Sequence, residues 1–431
     1  MYSSEFSCGR IAILAVLAFG LVVSATRATA QQFSVVYSFG SPIRRGAYPN
    51  GGVVIDKDGV LYGTTSSGGA SHRGEVYKLT PTATGNWDEN VLYSFGSIDD
   101  GAFPIGNLTL GASGNIYGVT QGGVKLCSDY HGVIDYCGTV FELSHQSDGS
   151  WQERTIHVFN ADGGGRDGWA PIGGLVQDAA GNLYGTTYYG GPRFPSPGYG
   201  TVFELMPDDK GGWTEKIIYA FGSSIDGGYP EGGLILDAAG NLYGTTVAGG
   251  TGSFSGNGTA FELTPIANGH WKQSVLHNFS SKGKEDGYWP ASGLVMDATG
   301  NLYGTTQWGG TYDYGTVFEL TPVGDGRWTE TILHNFKLDG FDGLFPSLGA
   351  LSFDSVGNLY GATSGLWGTV YQLTPAADGT WAERILHTFA NAGDGWYPYA
   401  DLAVDRSGNI YGTTNSQHNS GSYGNVFEIT P

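Results

Sequence analysis

One short motif recurs along the whole chain of 431 residues, and it constrains the fold more than any other feature. The string DAAGNLYGTT occurs at residues 178–187 and again, unchanged, at residues 237–246. One further identical copy of its GNLYGTT core and four variants lie elsewhere, so the chain contains seven copies, spaced 51 to 67 residues apart. Repetition at this period is typical of solenoids, propellers or arrays of units. The copies are marked by their tyrosines, Tyr62, Tyr117, Tyr184, Tyr243, Tyr303, Tyr360 and Tyr411.

Each repeat has the composition of four short strands. In the copy at 213–265, the segments WTEKIIYAF, LILD, NLYGTT and TAFELTP are strand-like, and segments rich in Gly and Pro separate them. No segment after residue 30 carries a sustained helical period. Seven four-stranded units predict an all-β fold, a seven-bladed β-propeller. A parallel β-helix uses much shorter repeats, and separate domains are disfavoured because each unit is too small to bury a core alone.

The two ends of the repeated region predict how the ring closes. The region begins with QFSVVYSF (32–39), which matches the tryptophan-bearing strand without its tryptophan, and it finishes at NVFEITP (425–431). We therefore expect the first strand to complete the last blade, which leaves no open sheet edge. From the axis to the rim, each blade is expected to run in the order LILD, NLYGTT, TAFELTP and WTEKIIYAF.

The repeated motif has a geometric interpretation. Asp178 precedes a tight turn, where a carboxylate accepts backbone N–H bonds, and Gly181 supplies a positive φ. Leu183 and Tyr184 are expected on opposite faces of their strand, so that both faces pack between blades. Gly185 leaves space for a large neighbour, and the recurring tryptophans are the expected occupants of such spaces. They are Trp213, Trp271, Trp328 and Trp381.

The first thirty residues have the order of a secretory signal. Arg10 precedes the apolar run IAILAVLAFGLVVSA (11–25), and the small residue Ala30 predicts cleavage before Gln31. The run is shorter than the roughly 20 apolar residues of a membrane span, which disfavours the alternative of a transmembrane anchor. We therefore expect residues 31–431 to form the propeller and to be secreted or periplasmic.

The charge and the cysteines narrow the classes of partner. The formal net charge is −20, and such a surface repels nucleic acid and anionic membranes. It is compatible with neutral or cationic ligands and with divalent cations, although solubility outside the cell is the simpler explanation of the acidic surface.

Beyond the signal, only Cys127 and Cys137 remain. In an exported protein this pair predicts a disulfide, with two free thiols as the alternative, and it is too sparse for a tetrahedral zinc site.

The combined motifs resemble the GloVer tandem repeat of exported bacterial proteins. The match rests on GNLYGTTxxGG, on GTVFELTP and on the D-G-x-x-P loops, and it spans residues 33–431. The resemblance implies a propeller-like, extracellular protein. It implies no established activity, so no catalytic residue is carried over from the family.

In the proposed strand order, the two longer loops of each repeat emerge on one side of the ring, here named the loop face. Six of its seven D-G-x-x-P loops begin with Asp and carry an aromatic residue, whereas the first has Arg45. Carboxylates accept hydrogen bonds from hydroxyls and aromatic rings stack on sugars, a combination that suits glycans. The alternative, which repetition in six copies favours, is that Asp caps its loop and the ring packs on the blade. The candidate ligand-binding residues are Asp167, Trp169, Asp226, Tyr229, Asp286, Trp289, Asp394 and Trp396.

Loops that differ between repeats are the other candidates, because a site used once should break the symmetry. Tyr188 and Arg193 lie in YYGGPRFPSPGYG, and Trp308 and Tyr312 lie in QWGGTYDYG. Loops on a rigid scaffold commonly carry function. The alternative for each residue is a position at the solvated surface.

The repeated titratable residues are interpreted as structural. Tyrosine replaces histidine in the rim strand of other copies, an exchange that favours packing over metal binding. Glutamate recurs in F-E-L, yet Lys78 and Gln372 occupy the same position elsewhere, which disfavours a general base there. The recurring histidines are His157, His277, His334 and His387.

The sequence contains no Walker loop, nucleophile elbow, HExxH motif or EF-hand calcium loop. We therefore expect no cofactor and no catalytic residue, with a divalent cation left open. The favoured hypothesis is a monomeric, secreted, non-enzymatic propeller that binds a glycan or a cell-surface protein through the loop face. Two alternatives stay open, a polysaccharide lyase or hydrolase acting at the central channel and a purely structural envelope protein. A symmetry-breaking cluster of carboxylates, His, Tyr or Arg at the channel mouth would favour the enzyme.

Overall fold

A computed structural model describes most of the chain between residues 31 and 430. Its gaps are 41–44, 97–99, 124–125, 129–133, 160–165, 193–197, 223–224, 251–255, 282–285, 347, 391–392 and 416–422, and only the backbone is described for 126–128 and 134–136. The predicted signal in residues 1–30 lies outside the described residues. The described part of the chain holds no α-helix, only a 3₁₀ turn at Ala267–Gly269. Within it, no helix is long and apolar enough to cross a membrane.

Seven antiparallel four-stranded sheets form the blades, which confirms the predicted all-β, seven-bladed propeller. In blades 1 to 6, sheet order follows chain order, so the short LILD-type strand and the tryptophan-bearing strand lie at opposite edges. Residues of the short strands from different blades line one common cavity, which places these strands at the axis. The predicted order from axis to rim is therefore confirmed.

The strand bounds repeat closely from blade to blade. From axis to rim, blade 1 contains Val54–Ile55, Leu61–Thr65, Glu75–Pro81 and Trp87–Ser94, and blade 2 contains Ala102–Leu110, Ile116–Gly122, Thr139–His145 and Trp151–Val158. Blade 3 contains Val176–Gln177, Leu183–Thr187, Thr201–Pro207 and Trp213–Ala220, and blade 4 contains Ile235–Leu236, Leu242–Thr246, Thr259–Ile266 and His270–Asn278. Blade 5 contains Val295–Met296, Leu302–Thr306, Thr316–Gly324 and Arg327–Asn335, and blade 6 contains Ser352–Phe353, Leu359–Thr363, Thr369–Pro375 and Trp381–Thr388. Blade 7 contains Ala403–Val404, Ile410–Thr414, Asn425–Thr430 and the N-terminal strand Gln32–Ser38. Two ribbons lie in loops, Leu126–Ser128 with Ile134–Tyr136 and Gly287–Tyr288 with Trp308–Gly309.

The N-terminal strand closes the ring. Gln32–Ser38 pairs antiparallel with Asn425–Thr430 and forms the rim strand of blade 7, with Gln32 opposite Thr430. An irregularity interrupts this pairing midway, and one also interrupts the rim pairing of each of the other six blades. The N-terminal strand therefore reproduces the geometry of an internal rim strand, and the predicted closure is confirmed.

The two faces of the GNLYGTT strand pack into different hydrophobic clusters. Leu183 belongs to a cluster with Phe203 and Leu205 of its own blade. Tyr184 belongs to the next cluster, with Leu234 and other residues of blade 4. Leu and Tyr at adjacent strand positions thus fill two successive inter-blade layers, as expected from their opposite orientations.

The space beside the motif glycine is filled by a phenylalanine and not by the expected tryptophan. A Cβ atom on Gly185 would lie 2.5 Å from Cζ of Phe203, on the neighbouring strand of the same blade. Trp213 instead makes an edge contact with Tyr117 of the preceding blade, with ring centroids 5.9 Å apart. The expectation from the sequence was wrong about the occupant, because the F-E-L strand lies closer to the motif strand than the rim strand does.

The tight turn before the motif is held by its aspartate, as predicted. Asp178 Oδ1 accepts hydrogen bonds from the backbone N–H groups of Ala180 and Asn182, each at 2.9 Å. Asp178 Oδ2 accepts one from the hydroxyl of Tyr184 at 3.1 Å, and this hydroxyl also lies 3.0 Å from Oε1 of Glu204. The recurring Asp, Tyr and Glu therefore link the turn to two strands.

Candidate functional site

The aspartates that open the D-G-x-x-P loops lie at the seams between adjacent blades. The hydroxyl of Tyr219 donates a hydrogen bond to Asp226 at 2.7 Å. The other three candidate aspartates have a carboxylate oxygen 3.4 to 3.5 Å from Nε2 of a histidine in the preceding rim strand. These contacts support the interpretation that the loop aspartates and the rim-strand histidines stabilise the fold. The pairs are His157 with Asp167, His277 with Asp286 and His387 with Asp394.

The seam at which the ring closes has the opposite charge in its loop. There, Arg45 replaces the aspartate, and Tyr37 of the N-terminal strand lies near Arg45 and Glu89 of blade 1. Burial and the nearby Glu89 raise the pKa of Tyr37 to about 12, and Arg45 opposes the rise. The departure of Arg45, an exposed residue, from the repeat therefore occurs at the seam where the ring closes.

At several seams, a glutamate from the rim strand of the next blade lies near the loop aspartate and is partly buried. Burial raises the pKa of Glu153 and of Glu215 to about 7. The charges of Asp100 and Asp167, respectively, add to this rise, and His157 opposes it at Glu215. Both carboxyls are therefore partly protonated near neutral pH in the folded protein.

These raised pKa values predict that the fold is more stable in mild acid. A carboxyl whose pKa is higher in the folded than in the unfolded state stabilises the fold below its unfolded pKa, about 4.3, and this contribution is lost as the pH rises through 7. In buffers containing EDTA, we expect Tm to fall between pH 5 and pH 8.5. The double variant Glu153→Gln, Glu215→Gln should show a weaker fall, because blade 4 already has Gln273 at the equivalent place. An equal pH dependence in both proteins would exclude these two carboxyls as its cause.

The aromatic candidates divide into buried and exposed rings. Trp169 is only 6% exposed and stacks on Tyr189, with ring centroids 4.3 Å apart. Trp289 and Tyr312 are 42% and 51% exposed, so their rings are open to a ligand. The remaining candidates are half-buried and pack on other rings, namely Tyr188 on Tyr229, Trp308 on Phe345 and Trp396 on Trp367.

Two predictions fall partly or wholly outside the described residues. Arg193 lies in the gap 193–197. Only the backbone is described for Cys127, whereas Cys137 is fully buried. The disulfide between Cys127 and Cys137 therefore stays a prediction.

The G-G dipeptides that follow the loop prolines are required by close packing at the axis. A Cβ on Gly232 would lie 2.5 Å from the backbone nitrogen of Gly293, and a Cβ on Gly51 would lie 2.2 Å from the carbonyl oxygen of Gly106. Real Cβ atoms do not approach backbone so closely. The innermost segments of neighbouring blades therefore touch through glycine, and this explains part of the high glycine content.

Two blades break the glycine pattern at the axis with polar side chains. Three residues after the loop proline, five blades have Gly, but blade 2 has Asn107 and blade 7 has Asp401. The amide of Asn107 donates a hydrogen bond to Oδ2 of Asp401, which bridges the two blades on either side of blade 1. Gly52 N–H donates to Oδ1 of Asn107 at 2.7 Å, and Ala350 N–H donates to Oδ1 of Asp401 at 2.7 Å. Both side chains are thus held in fixed orientations.

Asp401 has an altered acidity. Burial raises its pKa to about 6, although the hydrogen bonds from Ala350 and Asn107 favour the ionised form. A carboxyl of this pKa exchanges protons readily near neutral pH, which is a property of general acids and bases as well as of ligand-binding carboxylates.

Asp401 and Asn107 lie at the base of a cavity at the channel mouth. The cavity has a volume of about 370 Å³ and is lined by residues from all seven blades. Its rim carries Asn50, Glu231 and Tyr399, which occupy the position directly after the loop proline. Burial raises the pKa of Glu231, and a hydrogen bond from Trp289 opposes the rise. The mouth therefore combines two carboxyls, two amides and two exposed aromatic rings in an asymmetric arrangement.

Of these residues, only Trp289 was a candidate from the sequence. Asn107, Asp401 and Glu231 were not predicted, because each differs from the other repeats at a single position of the glycine-rich segment and not over a whole loop. Position-by-position alignment of the seven repeats contains the signal, since Asn107 and Asp401 stand where the other five repeats have glycine.

The sequence model of the Gloeobacter/Verrucomicrobia repeat matches residues 18–253, 195–366 and 299–431, which overlap and span nearly the whole chain. The chain belongs to this repeat family. Membership in the Gloeobacter/Verrucomicrobia repeat family confirms the resemblance inferred from the motifs. No curated protein matches the chain.

Two solved structures resemble this member of the Gloeobacter/Verrucomicrobia repeat family in fold. A candidate 6-phosphogluconolactonase from Bacteroides uniformis is 14% identical, with a TM-score of 0.52, and the match covers 83% of this chain and 88% of that one. The periplasmic gluconolactonase of Pseudomonas aeruginosa is also 14% identical, with a TM-score of 0.51 and coverage of 86% and 95%. At this identity the likeness establishes the propeller fold and nothing further.

Proposed function

We propose that this protein is exported and binds a neutral, hydroxyl-rich ligand, such as the end of a glycan chain, at the mouth of its central channel. One observation carries the proposal: the hydrogen-bonded polar pair Asn107–Asp401 stands at the axis, at a position where the other five blades have glycine. Exceptions to a local sequence rule are typical of functional sites, and ligand binding would explain why the repeat is broken in these two blades.

The chemistry of the mouth fits this ligand class. The carboxyls of Asp401 and Glu231 accept hydrogen bonds from hydroxyl groups, and the amides of Asn50 and Asn107 offer both donors and acceptors. Trp289 and Tyr399, which are 42% and 37% exposed, provide ring surface for the apolar face of a sugar. The net charge of −20 disfavours anionic ligands.

The size of the cavity indicates end-on binding. A volume of about 370 Å³ is near the lower limit of small-molecule sites, roughly 300–1,000 Å³. The bridge between Asn107 and Asp401 also lines a second cavity on the inner side of the channel, so the bridge lies between the two cavities. A polymer threaded through the channel would have to break it, whereas a terminal sugar would not.

The test combines a glycan array with calorimetry on single variants. We expect Asp401→Asn, which keeps the size of the side chain and removes its charge, to weaken binding of any glycan identified on the array by about tenfold or more, since hydrogen bonds to charged groups contribute roughly 1.5–3 kcal/mol. Asp58→Asn changes an exposed carboxylate on a tight turn and should leave the affinity unchanged. Equal affinities for the wild type and Asp401→Asn would place the ligand elsewhere. A wild type that binds neither glycans nor proteins of its own cell envelope would support a purely structural role.

A second candidate function is hydrolysis at the same site. It is favoured by the pKa of about 6 at Asp401, within the range of a general base, and by the second carboxyl at Glu231. The two structural neighbours are named for action on lactones, so sugar lactones belong with polysaccharides among the substrates to be assayed. Turnover that is lost in Asp401→Asn and that rises with pH through about 6 would establish the enzyme. Tight binding without turnover would exclude it.

A further inference from the structure

Two adjacent seams bring an imidazole and two carboxylates together, and none of these residues lines the cavity at the channel mouth. Between blades 4 and 5, Nε2 of His277 lies 3.5 Å from Oδ1 of Asp286 and 3.6 Å from Oε2 of Glu330. The three side chains come from three separate segments, namely the rim strand of blade 4, the connecting loop and the rim strand of blade 5. In each cluster, one nitrogen or oxygen from every residue lies within 4.8 Å of the others.

The next seam repeats the arrangement. Between blades 5 and 6, Nε2 of His334 lies 3.2 Å from Oδ2 of Asp342 and 3.7 Å from Oε1 of Glu383. Asp342 is 8% exposed and is oriented by the N–H groups of Lys337 and Gly343. The aspartate is therefore fixed by the backbone while the histidine and the glutamate approach it from different blades.

The first cluster is buried but poorly satisfied by hydrogen bonds. His277 Nε2, Asp286 Oδ1 and Glu330 Oε1 are inaccessible to solvent and have no hydrogen-bond partner of good geometry. Buried polar atoms without partners are rare in native proteins and call for an explanation such as an ion. When both carboxyls are ionised, a cation at the centre of the cluster would compensate their charge.

We propose that the His277–Asp286–Glu330 and His334–Asp342–Glu383 clusters each bind a divalent transition metal, best Zn²⁺, which ties neighbouring blades together. Imidazole nitrogen and carboxylate oxygen are accepted zinc ligands at about 2.0–2.2 Å, and a tetrahedral ion with such bonds separates its ligand atoms by roughly 3.3–3.6 Å. The observed His–carboxylate separations of 3.2 to 3.7 Å match this spacing. Water would complete the coordination, because the side chains of the first cluster remain 13 to 22% exposed.

Other seams of the same ring supply internal comparisons. The seam between blades 3 and 4 has Tyr219, Asp226 and Gln273, and so lacks both the imidazole and the second carboxylate. The seam between blades 6 and 7 has His387 and Asp394, but Phe33 stacks on the imidazole at 3.7 Å where the glutamate would be. The seam between blades 2 and 3 has the same residue types, His157, Asp167 and Glu215, but among the described residues only the other two triads bring all their ligand atoms within 4.8 Å of one another. These three seams should not bind the metal, so the expected stoichiometry is two ions per chain.

The test measures Zn²⁺ uptake by the protein after treatment with EDTA. Calorimetry and elemental analysis at pH 7.5 should give about two ions per chain, and Zn²⁺ should raise Tm by a few degrees. Glu330→Gln and Glu383→Gln should each remove one ion, and the double variant should lose the rise in Tm while keeping the fold, because Gln273 is tolerated at the equivalent place.

The matched control is Glu215→Gln at the seam between blades 2 and 3, which should still bind two ions. No uptake by the wild type would overturn the proposal. Uptake that persists in the double variant would also overturn it, because the ions would then be held elsewhere, for example by exposed histidines. Neither result would bear on ligand binding at the channel mouth.

Discussion

A protein that begins at Gly40, without the N-terminal strand, is expected to be largely unfolded or aggregated. Blade 7 would keep only three strands, and the edge at Asn425–Thr430 would lose its partner. Phe39 is 5% exposed and packs into the core, and Phe33 packs on Phe389 and Phe427. Losing these contacts and leaving an open edge should cost more than about 5 kcal/mol, comparable with the whole stability of many domains. Circular dichroism and size-exclusion chromatography measure the effect.

A matched pair of proteins separates the loss of the strand from the loss of chain length. A protein that begins at Gln31 keeps the strand and should melt as a single cooperative unit. Moving residues 31–39 to the C-terminus through a short turn should restore the fold, because Gln32 already lies opposite Thr430, as in a hairpin. A protein beginning at Gly40 that melts like the one beginning at Gln31 would contradict closure by this strand.

The substitution Gly232→Ala is expected to destabilise the ring by about 3 kcal/mol, the upper end of the usual cost of overpacking, although it adds only one methyl group. The new Cβ would lie 2.5 Å from the backbone of both Ser292 and Gly293, and backbone cannot move away without opening the contact between blades 4 and 5. Urea denaturation reports the change through a lower midpoint.

Gly393→Ala is the matched control for this prediction. No atom lies within 4 Å of its Cβ position, and its φ is not in the left-handed region. It should be neutral or slightly stabilising, because alanine restricts the unfolded chain more than glycine does. Equal effects of the two substitutions would show that glycine at the axis is not required by close packing.

The repeat made most of the fold predictable from the sequence. Seven copies of a four-stranded pattern predict the blades, and the unmatched strands at 32–39 and 425–431 predict closure. The role of Asp178 could also be predicted, because its hydrogen bonds are local and join residues two to six positions apart.

Contacts between residues far apart in the sequence could not be predicted in the same way. The sequence does not reveal that Phe203 fills the space beside Gly185, because the two residues meet only after the strands pair. Trp169 lies two residues after the aspartate of its loop, whereas Tyr229 and Trp289 lie three residues after theirs. At this position its ring is buried and stacks on Tyr189. The pair Asn107 and Asp401 is 294 residues apart, and only ring closure brings the two side chains together.

The closed ring is tested most directly by measuring whether a disulfide forms between its two ends. Paired residues in antiparallel strands have Cα atoms about 4.5–5.5 Å apart, within the range that a disulfide spans. We predict that the variant Gln32→Cys, Thr430→Cys oxidises to a circular monomer that migrates anomalously on a non-reducing gel and regains normal migration on reduction. The control Gln32→Cys, Thr264→Cys, whose second position lies in blade 4, should not form an internal disulfide. Failure of the first pair to cross-link, or cross-linking of the control, would contradict the closed propeller.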